Sequence, residues 1–166
     1  GVHLRGTVVW CDARRARDVC FVSSAARIGR AGHGQLIATA ATLAQLRAPG
    51  VASLPARYGR PLSLGTVVLE LQPNGDGVGG AMLLATVDGR RVVYAGAVAP
   101  GGVGLGGPAV TPRADVLVLA ARYGDRPAHG TPAAARAATV AWAQQVVHDR
   151  ALPVLLVPTA RAGLDV

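Results

Sequence analysis

Short apolar runs rich in Val, Leu, Ile and Ala, separated by Gly, Pro and Arg, set the pattern of this chain. They fall at Gly6 to Trp10, Val19 to Ser23, Leu36 to Thr39, Thr66 to Leu71, Ala81 to Val87, Arg91 to Tyr94, Asp115 to Leu119 and Pro153 to Val157. Several are continuous rather than alternating, the mark of strands covered on both faces. Asp88-Gly89, between two such runs, is a tight-hairpin signal. Helical signals are fewer. Thr39 can N-cap a segment running to about Ala48, where Pro49-Gly50 stops it. Thr131-Pro132 opens a longer one, to Arg150, because the hydroxyl accepts an orphan backbone N–H and Pro fits the first turn. Val140, Trp142, Val146 and Val147 are its expected buried stripe. The pattern predicts an α/β (α+β) domain, a mixed sheet with helices packed outside, and no internal repeat. Ala99 to Pro112, rich in Gly and Pro, reads as a flexible loop inside the domain.

Composition adds that the core is small-grained. With 166 residues, 51% of them hydrophobic and only 4% aromatic, the chain fits one compact domain, residues 1–166, built mainly from aliphatic side chains. All 17 basic residues are Arg, Glu70 is the single Glu, and the net charge is +8. A GC-rich coding bias accounts for part of that pattern, yet an Arg-bearing surface also suits an anionic partner such as nucleic acid. Cys11 and Cys20 flank apolar runs without CxxC spacing and read as buried thiols. No run approaches the roughly 18 apolar residues of a membrane span. The start GVHLRGTVVW lacks the layout of a signal peptide. A cytoplasmic protein with no membrane partner is the expectation.

Candidate chemistry is thin. Gly75, Gly77, Gly80 and Gly102, Gly104, Gly107 each match GxGxxG, but a phosphate cradle needs a strand before the loop and a helix after it. Neither stretch is followed by a helical pattern. His3, His33, His129 and His148 stand far apart without ligand spacing, and His148 suits the dipole at a helix end. Ser23 and Ser24 lie outside any GxSxG elbow and read as loop-capping serines rather than nucleophiles.

Taken in order, the segments resemble the metallo-β-lactamase fold, most closely its nuclease branch, which includes the β-CASP RNA-processing nucleases and the DNA-ligase-associated exonucleases. WCDA at Trp10 to Ala13 resembles the family's first turn, and FVSSAARIG at Phe21 to Gly29 stands where the family has FVSHAHxDH. LIATAATLAQL follows as its next strand and helix. LQPNGDGVGGA at Leu71 to Ala81, DGRRVVYAGA at Asp88 to Ala97 and ADVLVLAARYG at Ala114 to Gly124 match the later Gly-rich loop, hairpin and strand. The resemblance implies an αββα sandwich of mixed sheets with helices outside. PVLLVPTARAG resembles the strand after which relatives insert a β-CASP domain, so the chain reads either as a whole domain or as the N-terminal part of one. An incomplete second sheet would leave apolar surface that demands a partner.

In the family the HxHxDH residues, a later His and a bridging Asp bind two zinc ions, which generate hydroxide and polarise the scissile phosphodiester. Carried over position by position, these become Ser24, Ala26, Ile28 and Gly29, then Asp76 for the later His and Ala97 for the bridging Asp. Only Asp76 keeps a ligating side chain, with His33 as a displaced candidate. The Glu and Thr before the family's final YG are Ala120 and Arg122. The resemblance therefore implies a catalytically degenerate member that needs no zinc: a pseudo-nuclease that pairs with an active paralogue, docks on a DNA- or RNA-processing partner, or holds nucleic acid on its Arg surface. Two other readings stand beside it. One is a nuclease with a noncanonical site using Asp76 and His33; the other is a chain decaying without a selected role.

Overall fold

The computed structural model describes residues 1–27, 32–46, 50–121 and 130–156. The chain divides into two compact units, Gly1–Ala120 and Ala121–Val166. The first is a mixed α/β unit of two five-stranded sheets.

The first sheet comprises β1 (Val2–His3), β2 (Val9–Cys11), β3 (Val19–Phe21), β4 (Gln35–Ala38) and β5 (Ala52–Pro55), side by side in that order. β1 pairs antiparallel with β2, and the remaining neighbours are parallel. Helix α1 (Ala40–Leu46) lies between β4 and β5. The second sheet comprises β6 (Leu62–Leu64), β7 (Val67–Pro73), β8 (Ala81–Val87), β9 (Arg90–Gly96) and β10 (Val116–Leu119), ordered β10-β9-β8-β7-β6. It is antiparallel except where β10 joins β9 in parallel.

The strands alternate between two environments, as their period of 2 requires. Val9, Cys11, Val19, Phe21 and Ile37 from the first sheet meet Leu69, Leu71, Ala81, Leu83, Ala85 and Tyr94 from the second in one buried cluster, which is the core between the sheets. The intervening residues Cys20, Val22, Leu36 and Ala38 form another cluster with Leu43 and Leu46 of α1, so this helix covers the outer face of the first sheet. Met82, Leu84, Val93 and Ala95 form a third cluster. The continuous apolar runs at β3 and β8 are thus buried on both faces, as their patterning predicts.

The expected strands are present within a few residues of their ends, with one exception. Residues 153–156 of the expected strand Pro153 to Val157 are not a strand, and Val154, Leu155 and Leu156 are exposed; Val157 lies outside the described residues. An apolar run becomes a strand only where a neighbour completes its ladder, and no described strand does so. Three strands escaped the sequence pattern. β1 is only two residues long, β5 is exposed throughout, and β6 is a three-residue hairpin arm turned by Gly65 at φ +62°.

Thr39 caps α1 as expected, its Oγ1 accepting the Thr42 N–H at 3.2 Å. The expected end of that helix, Leu46 excepted, lies outside the described residues. In the second unit, α2 (Pro132–His148) begins at Thr131, whose Oγ1 accepts the Ala134 N–H at 3.1 Å. It ends earlier than Arg150, which adopts φ +56°. The expected buried stripe on this helix is corrected: Val140, Trp142 and Val147 are exposed. At about 100° per residue, Val140 and Val147 share one side while Trp142 and Val146 point to the other, so the four cannot form one stripe. Among the described residues no helix is long and apolar enough to cross a membrane.

Candidate functional site

The C-terminal ends of β2 and β3 converge with the loops at the ends of β7, β8 and β9, and a buried polar cluster fills the junction. β2 stops because Asp12 turns to φ +46°, a left-handed conformation that Asp tolerates better than most residues. That turn aims its carboxylate across the strand ends. Asp12 Oδ1 accepts the Ser23 N–H at 2.8 Å, and Oδ2 accepts the Ser23 hydroxyl at 2.6 Å and the Tyr94 hydroxyl at 2.9 Å. All three residues are buried. Hydrogen bonds to an ionised acceptor are the strong ones, about 1.5 to 3 kcal/mol each. Burial, followed by the charge and hydrogen bond of Asp12, pushes the Tyr94 phenol well above its ordinary range, with Arg27 opposing.

Gly96 ends β9 at φ +61° directly beside this cluster. A Cβ there would lie 2.7 Å from Ser23 Oγ. The close approach and the positive φ both require glycine. Ala97, the position expected for a bridging Asp, follows it and is half-buried.

Asn74 organises the Gly-rich loop. Fully buried, it donates from Nδ2 to the Ala81 carbonyl at 3.0 Å and accepts the Asp76 N–H on Oδ1 at 2.9 Å. Its carbonyl accepts the Ala99 N–H at 2.9 Å, and Ala81 N–H in turn donates to the Ser23 carbonyl at 2.9 Å. The loop is also pinned to α1, since the Thr39 and Thr42 hydroxyls both donate to the Gly79 carbonyl at 2.8 Å. Tyr58 donates to the Gly80 carbonyl at 2.8 Å. Residues 99–112, expected to be a flexible loop, are bonded to this loop through Val103 N–H to Gly75 O at 2.9 Å and Val110 N–H to Pro73 O at 3.1 Å. The first GxGxxG stretch thus runs from strand β7 into strand β8, with no helix to present to a phosphate.

The structure therefore brings Ser24, Asp76 and Ala97 to one end of the sheets through their neighbours Ser23, Asn74 and Gly96. Ser24 is buried, and its Oγ accepts the Ala26 N–H at 3.3 Å, which makes it a turn-capping serine. Ser23, 1% exposed and bonded to Asp12, cannot present a nucleophile. Ala26 is exposed, and Ile28 and Gly29 lie outside the described residues. His33 belongs elsewhere: its loop is tied to residues 17 and 18, with Gly34 N–H donating to Arg17 O at 2.9 Å and Gln35 N–H to Asp18 O at 2.7 Å. Among the described residues no three His, Cys, Asp or Glu side chains converge as a metal site. Of the positions carried over from the resemblance, Ala26 and Ala97 bear only methyl groups.

Cys11 and Cys20 are free, buried thiols on opposite faces of the first sheet. Burial raises both thiols above their ordinary value, with the Asp12 charge adding to it. They stay protonated and inert. Sequence reasoning missed Asp12, Asn74 and Tyr94 as the organisers of this region. A signal for the first was present in the CDA turn; for Asn74 and Tyr94, only the positions beside the Gly-rich loop and at the hairpin end.

No protein-family model and no curated protein sequence matches the chain. Among solved structures, it is similar to a Cronobacter sakazakii protein described as a metallo-β-lactamase with a HARLDQ motif. The two share 18% identity and a TM-score of 0.48 over 82% of this chain and 71% of that one.

Proposed function

We propose that this chain is a metallo-β-lactamase-fold domain that does not run the fold's metal-dependent hydrolysis and serves as a cytoplasmic pseudo-nuclease, structural or accessory to nucleic-acid processing. The WCDA, FVSSAARIG and DGRRVVYAGA segments support the family reading. One observation carries the functional one. The polar groups at the strand ends bond each other and the backbone, Ser23 to Asp12 and Ser24 to the Ala26 N–H, while Ala26 and Ala97 carry only methyl groups where the resemblance expects ligands. Without a metal, water keeps a pKa far above neutral and no hydroxide is supplied. The exposed Arg14, Arg15, Arg57, Arg60, Arg90 and Arg91 offer a surface for a phosphate backbone or an acidic processing partner.

Elemental analysis of the purified protein tests the first part, and stoichiometric zinc or manganese would overturn it. Degradation of labelled DNA or RNA that disappears in Asp76→Ala would establish an active nuclease with a noncanonical site instead. For the accessory role, the expected result is weak nucleic-acid binding that falls steeply with salt; no binding at low salt removes the nucleic-acid arm of the proposal.

A further inference from the structure

The β1 edge of the first sheet carries a stack of planar side chains on its outer face. His3 and Trp10 are cross-strand neighbours in the β1–β2 pair, and their rings stack with centroids 4.6 Å apart and planes 20° from parallel. The Arg17 guanidinium lies on the same Trp10 ring, its central carbon 3.7 Å from the centroid. The His3 ring is also held at its rim: Nε2 donates to the Thr7 carbonyl at 2.8 Å, and the Thr7 hydroxyl donates to the Leu4 carbonyl at 2.8 Å. Trp10 packs against the apolar cluster of the outer face, whereas His3 is exposed. β1 is the last strand on its side of the sheet. No described strand therefore stands beyond His3, and the imidazole face turned away from Trp10 looks out from the sheet edge.

The loop from Asp12 to Asp18 supplies positive charge beside this stack. It leaves β2 alongside β1, where a Cβ on Gly1 would lie 2.7 Å from Ala13 Cα, and it returns to Trp10 at Arg17. Arg14 and Arg15, both exposed, occupy the arch between those two contacts. Consecutive Cα atoms are about 3.8 Å apart, so both arginines stay within a few residues' reach of the rings. Of the two acids in this loop, Asp12 is buried and bonded to Ser23 and Tyr94, which leaves Asp18 alone against three arginines.

We propose that the outward face of His3, backed by Trp10 and Arg17, is a stacking platform for a base of single-stranded nucleic acid, with Arg14 and Arg15 taking the adjoining phosphates. The proposal rests on the nucleic-acid arm of the accessory reading and gives it a place on the molecule. A ring already held at its rim and backed by a second ring offers its π face without further ordering, and every base has a face to match it. Bases inside a duplex are stacked on one another and do not reach such a ring, so the strand is single. An acidic peptide would satisfy the arginines but leave the His3 face unused.

The probe is a short labelled oligothymidylate, titrated against the full chain at low salt and followed by fluorescence anisotropy, beside its duplex and an abasic strand of equal length. His3→Ala is expected to weaken single-strand binding about 5- to 150-fold, the loss of one base–ring stack. It should leave the salt slope, the duplex and the abasic strand unaffected, and His3→Phe should restore the affinity. Arg14→Gln and Arg15→Gln should each lower the salt slope by about 0.7, the contribution of one phosphate contact on a single strand. Undiminished single-strand affinity in His3→Ala overturns the platform, and the nucleic-acid reading survives if the strand still binds through the arginines. An equal loss on the abasic strand also overturns the platform, because the ring would then act through something other than a base. No binding of any strand at low salt ends both. Should His3→Ala unfold, the wild type decides: equal affinity for the thymidine and abasic strands overturns the proposal.

Discussion

The Tyr94 hydroxyl donates to Asp12 Oδ2 at 2.9 Å, joining the end of β2 in one sheet to β9 in the other. The same oxygen takes the Ser23 hydroxyl at 2.6 Å, so one carboxylate ties both sheets and the turn after β3. Tyr94→Phe removes one bond to an ionised, buried acceptor and is expected to destabilise the fold by about 1.5 to 3 kcal/mol. Ser23→Ala acts on the same oxygen, so the two effects should not add: the double variant will differ from the sum by about 0.5 kcal/mol or more. Urea unfolding of the four proteins measures this, and strict additivity would show that the cluster is not one unit.

Gly96 stands against that cluster with no room for a side chain. In Gly96→Ala the new methyl would sit 2.7 Å from Ser23 Oγ and 3.0 Å from Ser23 Cβ, on a backbone at φ +61°. Strain in the left-handed region costs on the order of 1 kcal/mol or more, and overpacking adds about 1 to 3 kcal/mol. Combining it with Ser23→Gly relieves the clash but not the backbone strain, and also removes the Ser23 bond to Asp12, so thermal unfolding should recover at most part of the loss. Full recovery would show that φ contributes nothing.

Much of the first unit was legible because its strands are long enough, or buried enough, to impose a pattern. β8 reads AMLLATV because Ala81, Leu83 and Ala85 face one cluster while Met82 and Leu84 face another. β5 could not be read: ASLP is exposed along its length and exists as a strand only because β4 offers an edge. The stripe expected on α2 does not form because Val140 and Val147 lie on one side of the helix and Trp142 and Val146 on the other. At the candidate site, the sequence pointed to Ser24, Asp76 and Ala97 but not to the hydrogen-bonded cluster beside them. Asp12, Ser23 and Tyr94 are 11 and 82 positions apart along the chain from Asp12, and only the pairing of the sheet ends brings them together.

The Tyr94 phenol gives the fold a limit on the alkaline side. Burial and the neighbouring Asp12 hold it protonated beyond the ordinary value of 10.0. The unfolded chain therefore loses this proton first, binds fewer protons than the native state above that value, and is favoured as pH rises. Stability from this group is complete below pH 10 and declines above it. Tyr94→Phe should flatten the fall of the unfolding midpoint in this range, while absorbance at the phenolate band should show Tyr94 ionising only as the protein unfolds. A phenolate appearing in the folded protein near pH 10 would contradict the geometry.

His33 imposes the opposite limit. Burial lowers its pKa below the ordinary 6.5, opposed by the Ala13 backbone and assisted to a smaller extent by the Arg17 charge. In the folded protein the ring stays neutral as pH falls through 6.5, while the unfolded chain takes up a proton there. The unfolded state then binds more protons, so stability is full above pH 6.5 and declines below it until the folded ring itself protonates. The urea midpoint should fall between pH 7 and about 5.5 in the wild type and less so in His33→Gln. A slope undiminished in His33→Gln would place the acid sensitivity elsewhere than in the buried ring.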